Sequence, residues 1–146
     1  MASGDYSAGY FSQKGGGYYV IENSNQEHSQ EEIEAARIMA DKGYKVKLKD
    51  EDGQVVTPDG YIFSASFEQR TPDGSSDSSK NILAALRHGR NKNADIAVIY
   101  QKYGKHSRKN IENAIAEFEQ VSPYRFKMIF IITRDGRIHR HKHNDI

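Results

Sequence analysis

The stretch TPDGYIFSASFEQR, from Thr57 to Arg70, decides how the rest of the chain is read. Pro58-Asp59-Gly60 opens it as a turn, because Pro fixes φ and Gly permits positive φ. Residues 61–70 then read as one strand with two unlike faces. Strand side chains alternate, so Tyr61, Phe63, Ala65 and Phe67 make a core face, and Ile62, Ser64, Ser66, Glu68 and Arg70 the opposite one. Asp59 at the strand's start and Glu68 near its end carry hard oxygen donors that can share a divalent cation. Such a cation activates water and neutralises charge on a phosphate. Arg70, two residues beyond Glu68, can stabilise charge that develops in a transition state. A metal-dependent nuclease places its groups in this way. The plainer account gives Asp59 to its turn and leaves Glu68 and Arg70 solvated on a half-buried strand.

The whole sequence sets bounds around this stretch. Its 146 residues suit one domain with a real core. Apolar residues make up 36% and charged residues 28%, a polar but foldable balance. No apolar run approaches the roughly 18 residues of a membrane span. Cysteine is absent, which excludes disulfides and thiolate chemistry and suits a protein working in cytosol. The net charge of +1 does not by itself announce nucleic-acid binding, but charge is unevenly spread. Residues 22–35 are acidic, and residues 80–109 are basic with Asp95 their only acid.

Periodicity then places the elements. Residues 1–16, rich in Gly, Ser and Tyr, read as a flexible lead-in to a single domain over residues 17–146. A strand follows at residues 18–21. Ser29 and Glu32 form a capping box for a helix that ends near Lys42 and Gly43, with Ala35, Ala36 and Met39 on its small-residue stripe. Glu32 is therefore either a capping carboxylate or a third acidic group facing a cleft. Residues 44–48 and 54–57 read as strands. After the opening stretch, Asp77 or Ser78 caps a helix with Ile82, Leu83 and Leu86 buried and Lys80, Arg87 and Arg90 outward, followed by Lys92. Residues 95–100, DIAVIY, read as a strand buried on both faces. Ser107 or Arg108 opens a further helix on Ile111, Ala114, Ile115 and Phe118. Residues 126–133 form another buried strand, Arg134-Asp135-Gly136-Arg137 a hairpin turn, and residues 138–143 an edge strand. His139, His141 and His143 share a face of that edge, where blocking edge pairing is favoured over binding a transition metal. His88 and His106 read as ordinary surface residues. The order β-α-β-β-β-α-β-α-β-β is that of a mixed α/β sheet with helices on its faces.

These landmarks together resemble the C-terminal nuclease domain of contact-dependent growth inhibition (CdiA-type) toxins, whose core is restriction-endonuclease-like with a PD-(D/E)xK signature. The resemblance runs from about Gly16 to His141. It is carried by Glu32-Ile33-Glu34-Ala35-Ala36-Arg37 with Gly43-Tyr44-Lys45-Val46, by Pro58-Asp59, by Phe67-Glu68-Gln69-Arg70, and by Asn93-Ala94 before the buried strand. It implies a metal-dependent endonuclease, using Mg2+ and cutting tRNA in the cytoplasm of a target bacterium. Delivery there would be as the C-terminal part of a larger secreted or mobile-element protein, and a cognate immunity protein would be its partner. Asp59 and Glu68 correspond to the family's metal-binding carboxylates and Glu32 to its first-helix acid. Lys80, Arg87, Arg90 and Lys92 would hold the nucleic-acid backbone. Two positions depart from the pattern: Arg70 stands where the family has Lys, and Asn93 where it has Gln. Arg cannot accept a proton at neutral pH, so the alternative is a lapsed nuclease fold that binds nucleic acid or a protein.

Overall fold

A computed structural model describes residues 6–22, 28–49, 59–73, 79–104 and 106–142. In chain order they form β1 (Tyr6–Phe11), β2 (Tyr18–Glu22), α1 (Gln30–Asp41), β3 (Lys45–Leu48), β4 (Gly60–Ile62), β5 (Ala65–Arg70), α2 (Ser79–Asn91), β6 (Ile96–Tyr100), α3 (Arg108–Val121), β7 (Met128–Ile132) and β8 (Ile138–His141). The architecture is mixed α/β, as the pattern of periods implies. The chain divides into two compact units, Met1–Phe67 and Glu68–Ile146. The strand expected over residues 54–57, Pro58 of the turn, the caps expected at Asp77 or Ser78, and His143 lie outside the described residues.

In the first unit β1 runs antiparallel to β2, and β2 parallel to β3. A parallel pair needs a crossover, and α1 supplies it. The helix buries Ala35, Ala36, Met39 and Ala40 completely. Their small side chains suit the close approach expected of that stripe. Ser29 caps its start, accepting from the Glu32 N–H at 3.2 Å. Gly43, at φ 95°, ends it: the Gly43 N–H donates to Ala40 O at 3.0 Å and the Tyr44 N–H to Met39 O at 3.0 Å. Both bonds satisfy carbonyls that the last turn leaves open.

Two expectations change here. Part of the lead-in over residues 1–16 is β1. Tyr10 Oη and Ser12 Oγ both donate to Asp41 Oδ1 at 2.7 Å, tying this segment to the end of α1. A Cβ at Gly15 would stand 1.9 Å from Asp41 O, so the glycine run is a close-packing surface there.

The other change concerns residues 61–70, which form a hairpin and not one strand. Ile62 pairs with Ala65 and Gly60 with Phe67, leaving Phe63-Ser64 as a two-residue loop. Phe63 takes φ 55° and is 61% exposed. Gly, Asn or Asp usually fills such a position, so nothing in local composition announces the turn. The loop exchanges the parity of β4. Ile62 joins Phe67 in the core, at 2% and 1% exposure, and Tyr61 pairs with Ser66 on the other face.

In the second unit β6 and β7 run parallel with α3 between them, and β7 turns back antiparallel into β8. Every residue of β6 is buried, as a doubly covered strand requires. Ile82, Leu83 and Leu86 of α2 pack with Ala114, Ile115 and Phe118 of α3. Ala97 and Ile99 of β6 and Ile129 and Ile131 of β7 complete that core. Ser107 caps α3, its Oγ accepting from the Asn110 N–H at 3.2 Å. Asn93 ends α2 at φ 56°, with its N–H on Arg90 O and the Ala94 N–H on Gly89 O. Asn tolerates this left-handed position better than Gln, which gives a local reason for Asn at 93.

Candidate functional site

The expected site residues fall in both units. In the first, Glu32 stands in the opening turn of α1. Its Oε2 lies 3.0 Å from His28 Nδ1, and its Oε1 accepts from Ser29 Oγ at 3.2 Å. Burial pushes this carboxyl up. The His28 hydrogen bond and charge, with the Ser29 hydroxyl and N–H, outweigh burial and hold it below its ordinary value. Glu32 is thus a capping carboxylate that stays ionised. Asp59 sits just before β4, where its N–H donates to Phe67 O at 3.0 Å and its carbonyl accepts from the Lys49 N–H at 2.8 Å. These two bonds fix the backbone that carries its side chain.

In the second unit Glu68 and Arg70 meet through a residue that local pattern left on the surface. His88, on α2, places Nε2 2.5 Å from Glu68 Oε2, and its Nδ1 lies 2.9 Å from Arg70 Nη2. A guanidinium only donates, so Nδ1 accepts and Nε2 carries the proton that Glu68 receives as a hydrogen bond. In this arrangement the ring is neutral, between an anion and a cation. The Glu68 side chain is 4% exposed and that of His88 26%. Arg70 is exposed. The i, i+2 spacing of Glu68 and Arg70 on one strand face lets both reach the ring. The signal for His88 was weak: it follows buried Ala85 by three residues, at the edge of the helix's buried stripe.

The basic residues of α2 are arranged less uniformly than expected. Lys80 and Arg87 are exposed. Arg90 is half-buried, its guanidinium 6.0 Å from the centre of the Phe118 ring and within reach of Asn91 Oδ1. Lys92 follows the helix, its N–H bonded to His88 O at 3.1 Å. His139 and His141 are both exposed on β8, paired across from Ile131 and Ile129 of β7, and line a cleft there.

No family profile and no curated protein matches the chain. Among solved structures it is similar to a chain of the "CdiA-CT/CdiI toxin and immunity complex from Burkholderia pseudomallei", with 18% identity over 84% of this chain and 98% of that one, at a TM-score of 0.63. The two share a fold. At that identity the likeness concerns the path of the backbone, and the chemistry must be argued from this chain's own side chains.

Carboxylate oxygens are the donors a hard divalent cation takes. Among the described residues no group of three His, Cys, Asp or Glu side chains is gathered to hold a metal ion. Magnesium is commonly held by one or two carboxylates, with water and substrate phosphate filling its octahedron, and the carboxylate of Glu68 is a donor of that type. Among the described residues no helix is long and apolar enough to cross a membrane.

Proposed function

We propose that this chain is the toxin domain of a contact-dependent growth inhibition system, a restriction-endonuclease-like endonuclease that cuts tRNA in the cytoplasm of a target bacterium. The observation that carries the reading is Glu68, a buried carboxylate fixed by His88 beside an exposed guanidinium, Arg70. Support also comes from the fold shared with a toxin and immunity complex. Of that complex's two components, the landmarks around Glu32, Asp59 and Glu68 point to the toxin.

Asp59 and Glu68 would hold Mg2+, which when bound supplies an activated water and neutralises phosphate charge. The chain's own residues do the rest. His88 denies Glu68 rotational freedom, so its carboxylate is oriented before substrate arrives. Arg70 meets the anionic phosphate and stabilises charge developing on it, without acting as a base. Glu32 remains an anion that orders the start of α1. Lys80, Arg87, Arg90 and Lys92 attract and position the phosphate backbone. An immunity protein that neutralises this surface would be acidic where it meets these cations.

The test is incubation of the purified chain with total bacterial tRNA and with plasmid DNA, each with Mg2+ and with EDTA. Discrete tRNA fragments only with metal, lost in Asp59→Ala and Glu68→Gln variants that still fold, are the expected outcome. Intact nucleic acid in every lane, with binding still visible by gel shift, favours the second reading, a lapsed site. Arg70 motivates that reading, and Arg70→Lys separates the two: a lapsed site gains cleavage, whereas a working site is only tuned.

A further inference from the structure

The second unit carries a cleft of about 920 Å³ at the carboxyl ends of β6 and β7. Gln101 after β6, the start of α3, and the β7–β8 hairpin form its walls. Its rim is basic: Arg108, Arg134, Arg137 and Arg140 line it, against the two carboxylates of Glu112 and Asp135. Arg108 pairs with Glu112 at 3.0 Å and Arg137 with Asp135 at 3.2 Å. All four of those side chains are well exposed, so water weakens both pairs. Each guanidinium has five N–H donors, more than one carboxylate contact consumes. The capped N-terminus of α3 adds its own positive end to the same wall. Ile111, Ile115 and Ile131 supply an apolar part of the lining.

His106 also lines this cleft and is 3% exposed. Its main-chain N–H donates to Gln101 Oε1 at 2.5 Å, and the same oxygen lies 3.3 Å from its Nδ1. A carbonyl oxygen has no hydrogen to give. In the tautomer that makes this contact, Nδ1 carries the proton and Nε2 presents a lone pair. Nε2 is buried and has no hydrogen-bond partner among the described residues. A buried acceptor left unmet is costly, and native structures keep few of them.

An anion for the rim, a hydroxyl donor for the buried acceptor and a flat apolar body for the isoleucines describe a ribonucleotide. We propose that this cleft binds a ribonucleotide unit, free or within an RNA strand, with its phosphate on the arginines and the ribose 2′-hydroxyl donating to His106 Nε2. The assignment goes beyond the Glu68 site, does not rest on it, and is tested by binding with cleavage suppressed.

The experiment uses the full chain in EDTA and reads fluorescence anisotropy of a short labelled ribo-oligonucleotide and its deoxy counterpart. The ribose form binds about two- to tenfold tighter, the range of one net hydrogen bond. His106→Phe erases that preference, because the side chain that accepts from the hydroxyl is gone. Arg134→Ala weakens both and lowers the salt slope by about 0.7, one phosphate contact on a single strand. Circular dichroism checks that His106→Phe folds; if it does not, the sugar comparison on the unaltered chain and Arg134→Ala decide. Displacement by adenosine monophosphate supports a site for the free nucleotide, and displacement by unlabelled RNA alone supports one for a strand. Equal affinity for the two sugars overturns the proposal. So does a preference that survives His106→Phe, or binding of polyglutamate in place of both oligonucleotides.

Discussion

Replacing His88 by alanine tests whether the Glu68–His88 contact is a charge-assisted bond that holds a buried anion. The 2.5 Å separation and the 4% exposure of the Glu68 side chain place the bond among those to charged groups, worth about 1.5–3 kcal/mol. The His88 side chain is 26% exposed, so water can follow into the space left by the ring and the loss falls near the lower end. The expected destabilisation of His88→Ala is about 2 kcal/mol. Glu68→Gln keeps shape and an acceptor but loses the charge, and costs about 1 kcal/mol. Once the carboxylate has become an amide, removing the ring strands no charge. The double variant should therefore lose about 2 kcal/mol and not the sum, a coupling of about 1 kcal/mol. Urea unfolding at pH 7, read as midpoint shift times slope, measures all three. Single losses that add to within about 0.3 kcal/mol would refute the reasoning, because independent sites add and bonded ones do not. A Glu68→Gln variant as stable as the parent would refute it too, since that marks a carboxyl already neutral.

Two further outcomes follow from local structure. Phe63→Gly should raise stability by about 0.5 kcal/mol or more in the same urea assay, because a left-handed non-glycine residue costs about 1–2 kcal/mol and the exposed ring returns only part of that through its edge contact with Tyr44. A clear loss would show that the ring is needed where it is. Glu32, held below its ordinary value when folded, contributes stability that is present above its unfolded value of about 4.3 and lost as pH falls through the folded one. Glu32→Gln should flatten the acid limb of stability as pH falls below the ordinary carboxylate value, and superimposable limbs would contradict the assignment.

Much of the fold was legible where pattern and burial agree over several turns. The stripes Ile82-Leu83-Leu86 and Ile111-Ala114-Ile115-Phe118, the run at residues 95–100 and the Asp135-Gly136 turn each announce their element through one repeated physical demand. The hairpin at Phe63 was not legible, because its turn uses an aromatic residue where backbone conformation favours Gly or Asn. The first strand was hidden by composition: glycines that signal a loose segment are here needed so that one backbone can press on another at Asp41. The candidate site was half legible. Alternation put Glu68 and Arg70 on one face, but the group that joins them comes from a helix 18 residues away from Arg70 in sequence. The unmet Nε2 of His106 had no signal at all, since it depends on which side of the ring Gln101 occupies.

The two-residue loop at Phe63-Ser64 also restricts how this chain can vary in length. Side chains of β5 alternate between a packed face holding Phe67 and the face bearing Glu68. Inserting or deleting one residue in the loop, with pairing resumed beyond it, would shift that alternation by one place and exchange the two. Phe67 would leave the core and Glu68 would lose its place beside His88. A change of two residues preserves the phase and merely lengthens or shortens the ribbon. Related sequences that keep the carboxylate in use should therefore differ here by even numbers of residues, and an odd difference should travel with a compensating bulge farther along the strand.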